Sequence, residues 1–180
     1  KKRAAKFWSD YGYLLVTVAV VFVLFKVVFQ LAYVPTGSME TTVPSKSLMV
    51  CWRLPYVVSD PVPERGEVVT FWSDEMGKLL VKRVIGLPGD VVEIRSNQVY
   101  VNGEPLSEPY LTPERNDNGF SMAPFTLGED EYFVMGDNRD NSHDSRNYYD
   151  YFTPAALTRD MIIGHVRCVV FPFSDIRTIE

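Results

Sequence analysis

A long apolar run near the N-terminus constrains this chain more than any other feature. From Tyr13 to Val34 the only strongly polar side chains are Lys26 and Gln30. A helix of about 20 residues, rising about 1.5 Å per residue, crosses the hydrocarbon core of a bilayer. Lys26 lies toward the C-terminal end of the run, where its long side chain can reach the headgroups. The run therefore predicts a transmembrane helix over residues 13–33.

The residues flanking this run predict how it sits in the membrane. Basic residues crowd the N-terminus at Lys1, Lys2, Arg3 and Lys6. Cytoplasmic flanks carry an excess of Lys and Arg, so we expect a cytoplasmic segment over 1–12 and an extracytoplasmic domain over 34–180. This arrangement predicts a protein that spans the plasma membrane once and contacts the lipid bilayer. Trp8, Tyr11 and Tyr13 are expected to form an interfacial aromatic belt.

A cleavable signal peptide is the alternative interpretation of the same run. Signal peptides share the basic start, but they have a shorter apolar core and an Ala-x-Ala-like exit. Here the exit is Gln30-Leu31-Ala32-Tyr33, which is a poor cleavage site. We therefore expect the run to be retained as an anchor.

The remainder of the chain has the pattern of an all-β domain. Hydrophobic residues make up 46% and charged residues 23%, and the net charge of -5 gives no reason to expect nucleic-acid binding. One short helix is predicted over 153–159, with Thr153 as N-cap and Pro154 at its first position. The polar stretch Leu106–Met122 is expected to be a surface segment. Strands are predicted over 67–72, 79–85, 91–94, 98–101, 132–135 and 162–171.

Two residues far apart in sequence suggest nucleophilic catalysis. Ser38 lies in a Pro- and Gly-containing turn that can present its hydroxyl at a groove. Lys82 lies in the apolar strand 79–85, where burial would lower its pKa and let a neutral amine accept the proton of a serine. Each residue also has an ordinary interpretation, because most serines cap turns and a strand lysine can point into water.

A dense polar loop, Gly136–Arg146, directly follows the predicted strand 132–135. It could hold the small hydroxyl of Ser142 against Lys82. A calcium loop starting at Asp140 is the alternative, with oxygen ligands from Asp140, Ser142 and Asp144. The sixth position of such a loop would be Ser145 rather than Gly, and the twelfth would be Tyr151 rather than Glu, which argues against calcium. We expect no metal and no cofactor.

Taken together, three segments closely resemble the bacterial type I signal peptidases, which are membrane-anchored serine proteases that remove signal peptides from exported proteins. The segments are Gly37-Ser38-Met39, the run from Lys82 to Asp90, and the loop from Gly136 to Arg146. The resemblance implies a fold of two antiparallel sheet regions after one transmembrane helix. It also implies that the partners are secreted preproteins bearing signal peptides.

The resemblance assigns expected roles to matching positions. Ser38 would be the nucleophile and Lys82 the general base, without a histidine. Thr36 and the Ser38 N–H would form the oxyanion hole. The remaining expected roles are orientation of the Lys82 amine by Ser142, bracing of the loop by Asp144 and Arg146, and substrate binding by Val34, Met39 and Val81.

One feature departs from the family pattern. Many members have Pro two residues after the nucleophile, whereas this chain has Glu40 there and Pro only at Pro44. The departure concerns the leaving-group side of the site and leaves the two proposed catalytic residues intact.

Other interpretations stay open at the level of sequence. Ser38 could act with His143 or His165 in a Ser-His-Asp arrangement, or the chain could be a tethered binding domain without chemistry. Cys51 and Cys168 could form a disulfide, although we slightly favour two buried thiols. The apolar stretches Leu54–Val58 and Phe120–Phe125 could dip into the outer leaflet or be ordinary packing.

Overall fold

A long N-terminal helix precedes a β-rich domain in a computed structural model, which describes residues 2–59, 61–73, 76–148 and 156–179. This helix, α1, covers Lys2–Val28, and among the described residues it alone is long and apolar enough to cross a membrane. The predicted span of 13–33 extends too far, because Phe29–Val34 form strand β1. All six residues of β1 pair with β2 (Ser47–Trp52), which buries Ala32 and Val34. The Arg53 N–H also bonds the last helical carbonyl, that of Val28, at 2.8 Å.

The larger sheet has eight antiparallel strands. Besides β1 and β2 they are β3 (Val68–Ser73), β4 (Lys78–Gly86), β9 (Glu131–Met135), β10 (Leu157–Thr158), β11 (Ile162–Phe171) and β12 (Arg177–Thr178). Their order is β1-β2-β11-β3-β4-β9-β10, with β12 paired to β11. Apolar residues of β1, β2, β3, β4 and β11 form one core cluster against this sheet.

The smaller sheet is also antiparallel, and its strands are β5 (Val91–Arg95), β6 (Gln98–Val101), β7 (Glu104–Pro105) and β8 (Met122–Thr126). Their order is β7-β6-β5-β8. Ser96 and Asn97, at φ 45° and 69°, make the tight turn of the β5–β6 hairpin, as their position between the strands predicts. The two sheets confirm the predicted all-β class.

Short helices fill several connections. They are α2 (Leu54–Val58), α3 (Ser145–Tyr148) and 3-10 turns at Pro113–Arg115, Arg139–Asn141, Arg159–Met161 and Phe173–Asp175. The predicted helix over 153–159 is wrong where the chain is described, because Leu157 and Thr158 are a strand and Arg159 begins a 3-10 turn. Leu157 is buried opposite Tyr132 of β9, so pairing in the sheet overrides the capping signal. Residues 153–155 lie outside the described residues.

The structure also shows whether the cysteines are bonded to each other and whether the two apolar stretches are packed or exposed. Cys51 and Cys168 are free thiols, and burial raises the pKa of Cys51 to about 12. In the stretch Phe120–Phe125, the two phenylalanines and Met122 pack on the core of the smaller sheet. In α2, by contrast, Val57 and Val58 are exposed.

Candidate active site

Ser38 lies on a turn that leaves β1 and returns to β2. The Lys46 N–H closes the loop on the Val34 carbonyl at 2.7 Å, and the Glu40 N–H bonds the Gly37 carbonyl at 3.1 Å. Met39, directly after Ser38, is completely buried. Because Met39 anchors the turn to the core, Ser38 is held in a fixed place at the surface, where it is half-buried.

Lys82 reaches the same point from β4, which is not a neighbour of β1 in the sheet. Its Nζ lies 2.8 Å from Ser38 Oγ, within hydrogen-bond distance. The residue is only 3% exposed, and this burial lowers the pKa of Lys82 from 10.5 to about 8, against the opposing influence of the Asp144 carboxylate. The structure thus joins a serine hydroxyl to an amine that loses its proton far more readily than an ordinary lysine.

The loop that follows β9, Gly136–Arg146, lies against the Ser38 turn. The Asn138 N–H bonds the Ser38 carbonyl at 3.0 Å, and Asn138 Nδ2 bonds the Gly37 carbonyl at 2.9 Å. A Cβ atom at Gly136 would collide with the Ser38 carbonyl and with the side chain of Ser142. Only glycine therefore allows the loop to approach the Ser38 backbone this closely.

Asp144 and Arg146 form an ion pair within this loop. Arg146 holds the Asp144 carboxylate through two bonds of 2.9 Å, and Asp144 Oδ2 also accepts the Gly136 N–H at 2.9 Å. Burial alone would raise the pKa of Asp144, but the hydrogen bonds and charge of Arg146 outweigh it and lower that pKa. Asp144 therefore stays ionised near Lys82.

The contacts of Ser142 differ from those that the family resemblance implies. Its Oγ is buried and makes no hydrogen bond of good geometry to any described residue, so the expected bond to the Lys82 amine is not formed in this structure. The hydroxyl does lie near enough to Asp144 to contribute to lowering the pKa of that carboxyl. It also packs against the Gly136 backbone.

A second buried ion pair, which the sequence did not predict, links the same elements. Arg83 binds Asp137 through bonds of 2.9 and 2.7 Å, and both side chains are almost completely buried. The Thr42 hydroxyl donates to the same carboxylate. Arg83 could have been recognised in the sequence, because a cation in an apolar strand needs a buried partner.

A small pocket opens beside Ser38 between the end of β1 and the first half of β4. The residues expected to bind substrate, Val34, Met39 and Val81, lie in its wall, and Thr36 lies exposed at its rim. Val34 and Met39 are buried, and Val81 is 9% exposed. Tyr33, Pro35, Met49, Lys78, Leu79 and Leu80 complete the lining together with the catalytic candidates.

Two competing arrangements, catalysis by His165 and calcium binding, do not fit this geometry. His165 packs against the rings of Trp52 and Tyr56, at 6.4 and 5.9 Å between centroids, rather than against Ser38. The Asp144 carboxylate of the calcium alternative is occupied by Arg146. Asp140 accepts the N–H groups of Asp117 and Asn118. No cluster of metal-binding side chains is present in the described part of the chain.

Comparison with known proteins identifies the family. The family model described as "Signal peptidase, peptidase S26" matches residues 8–171. A signal peptidase I of Bacillus amyloliquefaciens is 35% identical over 98% of this chain and 94% of its own length. A probable signal peptidase I-2 of Synechocystis is 34% identical over 87% of this chain and 70% of its own length. A crystal structure of a signal peptidase I from Enterococcus faecalis V583 covers 58% of this chain and 97% of that chain at 34% identity, with a TM-score of 0.48.

The chain therefore belongs to the signal peptidase family, peptidase S26. It is a serine endopeptidase of the signal peptidase I type.

Proposed function

We propose that this protein is anchored in the plasma membrane by α1 and removes N-terminal signal peptides from exported preproteins, with Ser38 as nucleophile and Lys82 as general base. The observation that carries the proposal is the 2.8 Å separation of Lys82 Nζ and Ser38 Oγ at a buried position. With a pKa of about 8, about one amine in ten is neutral at pH 7. An ordinary lysine, with a pKa near 10.5, would be neutral in about one molecule in 3,000.

The reaction proceeds by two acyl transfers. The neutral Lys82 amine removes the proton of Ser38 as Oγ attacks the scissile carbonyl, and the resulting ammonium protonates the departing amine. Water then attacks the ester on Ser38, with Lys82 again accepting and returning the proton. The Thr36 hydroxyl and the Ser38 N–H stabilise the oxyanion of each tetrahedral intermediate.

The open edges of two strands suggest how the substrate binds. β4 pairs with β9 only from Arg83 onward, and β1 pairs only with β2 among the described strands. An extended segment of the preprotein can therefore lie along Lys78–Val81 and form backbone hydrogen bonds. Because the buried side chains of Val34 and Val81 wall the pocket, it accepts small residues such as Ala at the first and third positions before the cut.

An outward apolar face supports attachment to the outer leaflet. Tyr33 lies opposite Leu48, which lies opposite Phe171, so these side chains share one face of the larger sheet. Tyr33 is 58% exposed and Phe173, which packs edge-on against Phe171, is 80% exposed. The face starts where α1 ends and reaches the pocket beside Ser38, so a signal peptide in the bilayer can approach the nucleophile.

The test uses the purified full chain in detergent, incubated with a preprotein and followed by N-terminal sequencing of the product. Cleavage at one site after a small residue is expected, with loss of that product for Ser38→Ala. Absence of cleavage by the unaltered chain, or the same product from Ser38→Ala, would refute the proposal.

A further inference from the structure

The surface segment Glu108–Arg115, here called the clasp, joins the two loops of the active site. On one side, Glu108 binds the buried Arg139 of the Gly136–Arg146 loop through contacts of 2.5 and 3.1 Å. On the other side, Arg115 Nη1 lies 2.6 Å from Glu40 Oε2, two residues after Ser38. The clasp therefore links the turn that carries Ser38 to the loop beside Lys82.

The turn that the clasp holds contains a strained residue. Thr41 has φ 89°, in the left-handed region that β-branched residues rarely adopt. Its hydroxyl donates to the Tyr110 carbonyl at 3.1 Å, and the adjacent Glu40 is paired with Arg115. Both attachments of this turn to the clasp thus lie at or next to the strained residue, and such a conformation persists only where its surroundings enforce it.

Glu40 connects this strain to the nucleophile. Besides Arg115, its carboxylate accepts the Ser45 hydroxyl at 2.8 Å. It also lies directly on the backbone before Ser38, because a Cβ atom at Gly37 would come within 2.8 Å of the Glu40 Cδ. If Glu40 moves, the Gly37–Ser38 peptide loses the group that covers it.

We propose that Glu40 and Arg115 are positioning residues for the reaction. Their ion pair holds Thr41 in its left-handed conformation and so keeps Ser38 opposite Lys82. This inference rests on the proposed roles of Ser38 and Lys82. In this chain, the pair supplies the rigidity of the turn on the leaving-group side of the nucleophile.

The test measures kcat and KM for preprotein cleavage by the full chain in detergent. Arg115→Gln is expected to lower kcat about threefold to fivefold, the upper part of the range over which a partly exposed ion pair shifts a conformational equilibrium, with KM changed less than about twofold. Arg115→Lys, which keeps the charge, is expected to retain at least about half of kcat. Arg95→Gln is the matched control, because it breaks an exposed Arg–Glu pair in β5 that touches neither loop.

A second substitution distinguishes positioning from general stabilisation. Glycine adopts a positive φ without strain, so in a Thr41→Gly background the loss of Arg115 is expected to change kcat less than about 1.5-fold. An equal loss of kcat with and without Thr41→Gly, or no loss for Arg115→Gln, would overturn the positioning role. Ser38→Ala measured alongside separates the two proposals: if it is inactive while Arg115→Gln is unimpaired, only the clasp inference fails.

Discussion

Replacing Lys82 by Met is expected to remove activity and yet stabilise the fold at neutral pH. The lysine is 3% exposed, and the hydrogen bond to Ser38 Oγ is the only one that its side-chain amine makes with the described residues. Met has a similar length and no charge to desolvate. The substitution therefore removes a buried cation without leaving a large cavity.

The pKa of Lys82 sets the magnitude and the pH range of this effect. The difference between 10.5 in the unfolded chain and about 8 in the folded chain corresponds to about 3 kcal/mol. Below pH 8 both states hold the proton, so the folded state bears the whole cost of burying the cation. Between pH 8 and 10.5 the folded state has lost the proton while the unfolded state retains it, so the stability of the unaltered protein rises with pH. Lys82→Met should thus raise the free energy of unfolding by about 3 kcal/mol at pH 7 and by about 1 kcal/mol at pH 10.

Guanidinium unfolding of the full chain in detergent, followed by tryptophan fluorescence at both pH values, measures this difference. Arg95→Met is the matched control, because Arg95 is an exposed cation of β5 that does not influence the pKa of Lys82. Its effect on stability should be small and equal at pH 7 and pH 10. A destabilised Lys82→Met variant, or a gain that does not shrink as the pH rises, would refute the assignment of Lys82 as a desolvated amine.

Three further predictions concern pH, specificity and topology. The value of kcat/KM should rise with pH and level off above about 8, as the amine with that pKa loses its proton; a profile that levels off near pH 6 would point to another base. Val81→Ala should enlarge the pocket and increase the rate of cleavage after Val or Leu relative to cleavage after Ala. If the ratio of these rates is unchanged, Val81 does not line the pocket that selects the residue before the cut. Protease added outside spheroplasts should digest the domain after Val34 and spare the N-terminus, whereas protection of the whole chain would reverse the proposed orientation.

Local patterns predicted the strands well and the end of the anchor poorly. Six predicted strands match observed strands within about two residues, because alternation and turn residues are local signals. The apolar run continues through residues 29–33 and so predicts a helix there, because hydropathy does not distinguish a membrane helix from a half-buried strand. Only pairing with β2 resolves that ambiguity, and pairing is a property of the fold.

In the active site, too, the chemistry of single residues is predictable from sequence, whereas the contacts between distant residues are not. The types of Ser38 and Lys82 suggest a nucleophile and a base, but 44 residues separate them in sequence, and the resemblance to a family was needed to join them. The clasp was expected only as a polar surface segment, because nothing in its composition indicates that Glu108 would meet Arg139. The Arg83–Asp137 pair was missed although a charge in an apolar strand signals a buried partner.

The most direct test of the central claim is the rate of preprotein cleavage by dyad variants, measured under single-turnover conditions at saturating enzyme. Ser38→Ala and Lys82→Met should each lower the rate by at least about 10² to 10⁴, the usual contribution of a general base, with the elution volume and fold unchanged. Arg95→Gln, which breaks an exposed ion pair of β5, should stay within about twofold of the unaltered protein. A Lys82→Met variant that cleaves within about tenfold of the unaltered rate would contradict the claim that Lys82 activates Ser38.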